Sequence, residues 1–89
     1  MSSTDQASFT TGLCDFIRTS VSVGNPPIEA ETDLVMTGYV DSLGIVLVVE
    51  WIESQLAIEI DPGDVVIEHF DMVTSMVTYL RERGDTPLD

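Results

Sequence analysis

Tyr39-Val40-Asp41-Ser42-Leu43-Gly44, written YVDSLG, opens the longest helical pattern in the chain and decides how the rest is read. From Ser42 to about residue 58, Ile45, Val48, Val49, Ile52 and Leu56 recur at helical spacing and form one buried stripe. Leu43, Val46, Leu47 and Trp51 lie off that stripe, so this helix is apolar on a second face that other elements or a partner must cover. At its start two readings stay open. In one, Asp41 is the N-cap, Val40 and Ile45 form a hydrophobic staple, and Ser42 is the first helical residue. Its hydroxyl then lies at the positive end of the helix dipole, beside free backbone N–H groups that favour a covalently attached phosphate. In the other, Ser42 is itself the cap and does nothing more.

Upstream, Ser2, Ser3 and Thr4 read as a polar tail ending in a helix cap. From about Asp5, Phe9, Leu13, Phe16 and Ile17 predict a first helix that fails near Gly24-Asn25-Pro26-Pro27. A long connection to Val40 follows, and Ile28, Leu34, Val35, Met36 and Tyr39 are its candidate anchors to the core. Gly38 permits a tight turn just before the hexapeptide. Downstream, Pro62 suits the first turn of a short third helix over residues 62–67. Asp71 is the expected N-cap of a last helix carrying Val73, Met76, Val77 and Leu80 on one face, with Phe70 beneath it and Arg81 and Arg83 near its end. The reading is all-α: four helices, the third short, with a long loop between the first and second.

At 89 residues, with 44% hydrophobic and 21% charged residues, the chain predicts a single domain over 1–89 with a core from about 5 to 83. Sixteen acids oppose three arginines and there is no lysine, so the formal net charge is -13. Coulomb repulsion disfavours nucleic acid and anionic membrane surfaces as partners, whereas basic patches are attracted. Cys14 is the only cysteine, which excludes an intramolecular disulfide and fits a reducing compartment; it reads as a small core or boundary residue. The amino terminus lacks a basic and apolar signal pattern, and the longest apolar run, residues 45–49, is too short to span a bilayer. A soluble cytoplasmic monomer is expected.

The inventory leaves little room for catalysis. A serine triad would have to use His69, the one histidine, which reads as a connector residue before the last helix. Asp61, Asp64 and Glu68 lack calcium-loop spacing, and no His/Cys cluster exists for a transition metal. Gly24, Gly38 and Gly44 are isolated, so there is no glycine-rich phosphate loop. The expectation is no catalytic residue and no metal.

The acidic composition, the first helix, the long loop, Asp41-Ser42-Leu43 opening a second helix, and the short third and final helices together resemble the acyl carrier and peptidyl carrier protein family over roughly residues 9–83. Thr32-Asp33-Leu34 in the loop and Ile58-Glu59-Ile60-Asp61-Pro62 before the third helix support the likeness. The resemblance implies a four-helix bundle of the acyl-carrier type. It implies that Ser42 is the attachment point for 4'-phosphopantetheine, flanked by Asp41 and Leu43 and transferred from coenzyme A by a separate phosphopantetheinyl transferase using magnesium. The arm's thiol would hold an acyl or aminoacyl group as a thioester, so the chain would be a carrier and not an enzyme. The implied partners are that transferase, a loading adenylation enzyme, ligase or acyltransferase, and a downstream ketosynthase, condensation enzyme or transferase. The second helix would be the recognition surface, with Val46, Leu47, Glu50 and Glu53 facing the partner together with Leu43.

Carriers of fatty acid synthesis usually show an acid in the first turns after Asp-Ser-Leu, where this chain has Gly44 and Leu47. Its outer face is greasier, so docking would rest more on apolar anchoring at Val46 and Leu47 than on steering. That favours a discrete carrier of polyketide or nonribosomal-peptide biosynthesis over fatty acid synthesis. A small acidic interaction module without cofactor is the reading from a different class, and a hydrolase using Ser42 and His69 is a third. Any cargo pocket would depend on packing among Ile45, Val49, Leu56, Ile67 and Met72.

Overall fold

The computed structural model describes residues 5–22 and 24–88; the polar tail and cap expected at Ser2, Ser3 and Thr4 lie outside them. The described residues form four α-helices with no β-strand, as the apolar periodicity requires. None of these helices is long and apolar enough to cross a membrane.

Helix α1 spans Gln6–Phe16. Asp5 is its cap: the carboxylate accepts from the Ser8 N–H at 3.3 Å and from the Ser8 hydroxyl at 3.1 Å. The helix continues as a π-helical turn over Ile17–Val21 and stops at Ser22, ahead of the glycine-proline corner expected to end it. The Ser22 N–H donates to the Ile17 carbonyl at 2.8 Å, and its hydroxyl reaches the carbonyls of Ile17 and Arg18 at 3.0 and 3.1 Å, competing with helix continuation. Gly24 and Asn25 then turn the chain with φ of 81° and 50°.

Helix α2 spans Ser42–Leu56 and ends on Ala57 in the left-handed conformation. Val48, Ile52 and Leu56 are buried as the stripe requires, while Ile45 and Val49 are half-buried at its edge. The second apolar face divides. Trp51 is covered by α1, its ring stacked on Phe16 with centroids 5.4 Å apart and tilted against Phe9 at 5.6 Å. Leu43, Val46 and Leu47 remain 69%, 49% and 40% exposed.

The third element differs from the single helix expected over residues 62–67. Pro62–Asp64 is a 3₁₀ turn capped by Asp61, whose carboxylate accepts the Gly63 N–H at 2.7 Å. Val66 is extended, and α3 is a separate turn over Ile67–Phe70. The β-branched pair Val65-Val66 resists the helical conformation and breaks the element in two.

Helix α4 spans Val73–Arg83, with Val73, Met76, Val77 and Leu80 buried on one face and Phe70 buried beneath. Its cap corrects the sequence reading. Met72 holds the extended N-cap position, whereas Asp71 is in the αR region as the C-cap of α3. The Asp71 Oδ1 is buried with no hydrogen-bond partner among the described residues. One first-turn donor of α4 is satisfied from the loop instead: Ala30 O accepts the Thr74 N–H at 2.9 Å, and the Thr74 hydroxyl at 2.8 Å. The Asp71 carbonyl in turn accepts the Leu34 N–H at 2.8 Å. Two backbone links therefore fasten the long loop across the α3–α4 junction.

Candidate functional site

The loop delivers the hexapeptide by a chain of local bonds. Asp33 Oδ1 accepts the N–H groups of Val35 and Met36 at 3.2 and 2.9 Å, and the Thr37 hydroxyl donates to the Asp33 carbonyl at 2.6 Å. Gly38 turns with φ of 77°, its N–H on the Val35 carbonyl at 3.0 Å. The Val40 N–H closes on the Leu34 carbonyl at 3.1 Å. Leu34 and Val40 are buried, so this turn is nailed to the core at both ends. Of the anchors named from the sequence, Met36 alone points outward, 83% exposed.

Asp41 is the N-cap of α2: its Oδ1 accepts the Gly44 N–H at 2.8 Å and its carbonyl accepts the Ile45 N–H at 3.0 Å. Ser42 is thus the first helical residue, exposed, with its side chain free of any cap bond. Beside it lies an apolar groove of about 200 Å³ between α2 and the segment leading into α3. Val35, Ile45, Val46, Val65, Val66, Ile67 and Phe70 line it, and Ser42 is the single polar residue at its edge. An exposed serine hydroxyl at a helix N-terminus therefore opens onto greasy surface, an arrangement that can carry a phosphate-linked group and shelter an apolar portion of it.

The residues singled out from the sequence divide into two sets. Asp41, Ser42, Leu43, Val46 and Leu47 are all exposed at the start of α2, Ser42 and Val46 lining the groove, with Glu50 exposed one turn beyond Val46. Glu53 is half-buried and committed to the fold, since its Oε2 accepts the Ile60 N–H at 2.8 Å. Of the residues expected to shape a pocket, Ile45 and Ile67 line the groove. Leu56 is buried in the core, Val49 packs against it, and Met72 lines a different groove with Glu31, Glu68, His69, Tyr79 and Glu82. Val65 and Val66 are wall residues that sequence reasoning missed; the signal was the apolar run Val65-Val66-Ile67 directly after a proline-glycine turn.

His69 does not serve Ser42. It packs tilted against the Tyr79 ring with centroids 4.7 Å apart, in the Met72 groove and not in the Ser42 groove. Tyr79 also donates its hydroxyl to Asp64 Oδ2 at 2.8 Å, and burial first, then that bond, hold its phenol above the usual tyrosine range. Arg83 Nη1 donates to the same hydroxyl at 3.3 Å while its Nε and Nη2 grip Asp85, both at 2.9 Å. The fork lowers the Asp85 carboxyl below its ordinary value. Cys14 is half-buried, its thiol pushed up by burial and by Asp15 and Glu29, which disfavours the reactive thiolate. Among the described residues no group of three or more His, Cys, Asp and Glu is placed to hold a metal ion.

Compared with known proteins, the chain has no significant match to a family model, a curated protein or a solved structure.

Proposed function

We propose that the chain is a cytoplasmic, monomeric, single-domain acyl or aminoacyl carrier whose Ser42 bears 4'-phosphopantetheine, with its helices arranged as a bundle of the acyl-carrier type. The observation that carries this reading is the exposed Ser42 hydroxyl at the first position of α2, beside the apolar groove and next to a cap made by its neighbour Asp41. The residues fit the group. The Ser42 Oγ supplies the attachment atom, the N-terminus of a 15-residue helix favours the phosphodiester charge, and Val46, Ile67 and Phe70 offer apolar surface to what hangs from it. When bound, the arm supplies the thiol that holds cargo as a thioester. Asp41 keeps the helix start in register, and Leu43 stands beside the attachment point.

The phosphopantetheinyl transferase, a loading enzyme and a downstream ketosynthase, condensation enzyme or transferase are the partners of this reading. Leu43, Val46 and Leu47 form its apolar contact, with Glu50 at the edge. The absence of an acid in the first turn of α2 favours polyketide or nonribosomal-peptide biosynthesis over fatty acid synthesis. Intact-mass spectrometry after incubation with coenzyme A, magnesium and a broad-specificity phosphopantetheinyl transferase is expected to show one added phosphopantetheinyl group, and none in Ser42→Ala. No addition to the wild type overturns the carrier reading in favour of an acidic interaction module, and addition that survives Ser42→Ala overturns Ser42 as the attachment point and the carrier reading with it.

A further inference from the structure

Tyr79 touches both ends of one short segment. At the beginning, its hydroxyl donates to Asp64, the last residue of the Pro62–Asp64 turn, at 2.8 Å. At the end, its ring packs against His69 and Phe70 of α3, with centroids 4.7 and 5.9 Å away. Between those two holds lie Val65, Val66 and Ile67, which form the far wall of the groove beside Ser42. Val66 and Ile67 are themselves exposed, and of the three only the half-buried Val65 packs against the core, so apolar burial holds the wall at one residue. Among the described residues its backbone is held by short-range bonds: Val65 N–H to the Pro62 carbonyl at 3.2 Å, Val66 N–H to the Asp64 carbonyl at 2.9 Å and His69 N–H to the Val66 carbonyl at 3.0 Å.

Tyr79 is in contrast buried on α4. Arg83 donates to its hydroxyl from behind, and Arg83 is fixed by its fork on Asp85. The phenol oxygen thus accepts from Arg83 and donates to Asp64, which orients the O–H toward Asp64.

We infer that Tyr79 is a positioning residue for the groove: through the hydroxyl on Asp64 and the ring on α3 it sets how far the Val65-Val66-Ile67 wall stands from Ile45 and Val46, and so the size of apolar group that fits beside Ser42. The inference concerns the groove itself and holds whether or not Ser42 carries a cofactor.

Residue-resolved hydrogen exchange on the full chain tests it. Tyr79→Phe keeps the ring and removes the hydroxyl. The amides of Val65, Val66 and His69 are expected to exchange roughly fivefold to tenfold faster, while those of Leu13 and Ile52 stay within about twofold of the wild type. Asp64→Ala reproduces the effect, Asp64→Asn, which retains an acceptor oxygen, restores most of the protection, and Tyr79→Phe/Asp64→Ala exceeds neither single variant. Titrating cyclohexanol against the Ile45, Val46 and Ile67 methyl resonances is expected to give an affinity shifted at least about threefold in Tyr79→Phe. Unchanged exchange at the three wall amides, acceleration spread evenly over all four helices, additive single-variant effects, or an unshifted cyclohexanol affinity overturns the inference.

Discussion

Gly44 of α2 faces Val21 of the π-helical turn so closely that a Cβ on the glycine would lie 2.7 Å from Val21 Cγ1, and 2.9 Å from Val40 Cγ1 on its other side. The glycine is buried in a regular helix, so what matters here is its missing side chain and not its backbone freedom. Intrinsic propensity favours alanine inside a helix by about 1 kcal/mol. Two branched neighbours at these distances leave no room for it, and Gly44→Ala is expected to lower stability by about 1–3 kcal/mol in urea titration. Combining it with Val21→Ala should recover part of that loss; a fully additive double variant would locate the strain elsewhere.

Asp41 holds the start of α2 by one carboxylate bond. Asp41→Ala is expected to cost about 1 kcal/mol, with Asp41→Asn retaining most of the stability because the acceptor oxygen remains. Under the carrier reading, the alanine variant should also be modified more slowly on Ser42 than its small stability loss accounts for, as read by a time course of intact mass.

Glu53 and Glu50 lie one turn apart on α2 but do different work. Glu53 Oε2 satisfies the Ile60 N–H, which anchors the chain after α2. Glu53→Ala should destabilise by about 1–2 kcal/mol by leaving that donor unpaired, whereas Glu50→Ala, at an exposed position, should stay within about 0.5 kcal/mol. Thermal unfolding of the two variants side by side gives the comparison.

Cys14 and Tyr79 both titrate later in the folded chain than in the unfolded one, because burial disfavours the thiolate and the phenolate. A raised folded-state pKa contributes stability that is complete below the unfolded value and lost as pH climbs through the folded one. The loss should therefore begin only in the alkaline range, above the ordinary cysteine value for Cys14 and above the ordinary tyrosine value for Tyr79. Alkylation of Cys14 by iodoacetamide at pH 8 should run at least roughly tenfold slower in the native chain than in urea, and Tyr79→Phe should flatten the alkaline end of the stability profile.

Leu47 stands on the exposed face of α2 where a fatty-acid carrier would be expected to present an acid. Under the carrier reading, Leu47→Glu is expected to improve turnover by fatty-acid-synthesis enzymes if the apolar face disfavours them. Unchanged poor turnover, measured as product per holo-carrier, would count against the pathway assignment and leave attachment at Ser42 untouched.

The start of α2 was legible because its determinants are local: Val40, Asp41 and Ser42 are consecutive, and a cap bond reaches only three residues. The buried faces of α1, α2 and α4 were legible for the same reason, since periodicity is a property of neighbours. What escaped the sequence was set at long range. Asp71 is a good cap by residue type, yet its backbone is drawn into the αR conformation at the end of α3, and the capping of α4 passes to a carbonyl of the loop. Trp51 gave no sign of whether α1 or a partner would cover it. The groove wall escaped because Val65 and Val66 read as part of a helix, when both leave the helical region and Val66 takes the extended backbone that branched side chains favour.

The bond from Thr74 to Ala30 spans 44 residues, and this has a consequence for the order in which a newborn chain matures. At ordinary elongation rates, Ala30 waits roughly 2–9 s for Thr74 to be synthesised. Until then the loop ahead of Asp41 lacks its fastening, although the helix that begins at Ser42 has already been made. The segment that leads into the helix is thus completed later than the helix itself, the reverse of their order along the chain.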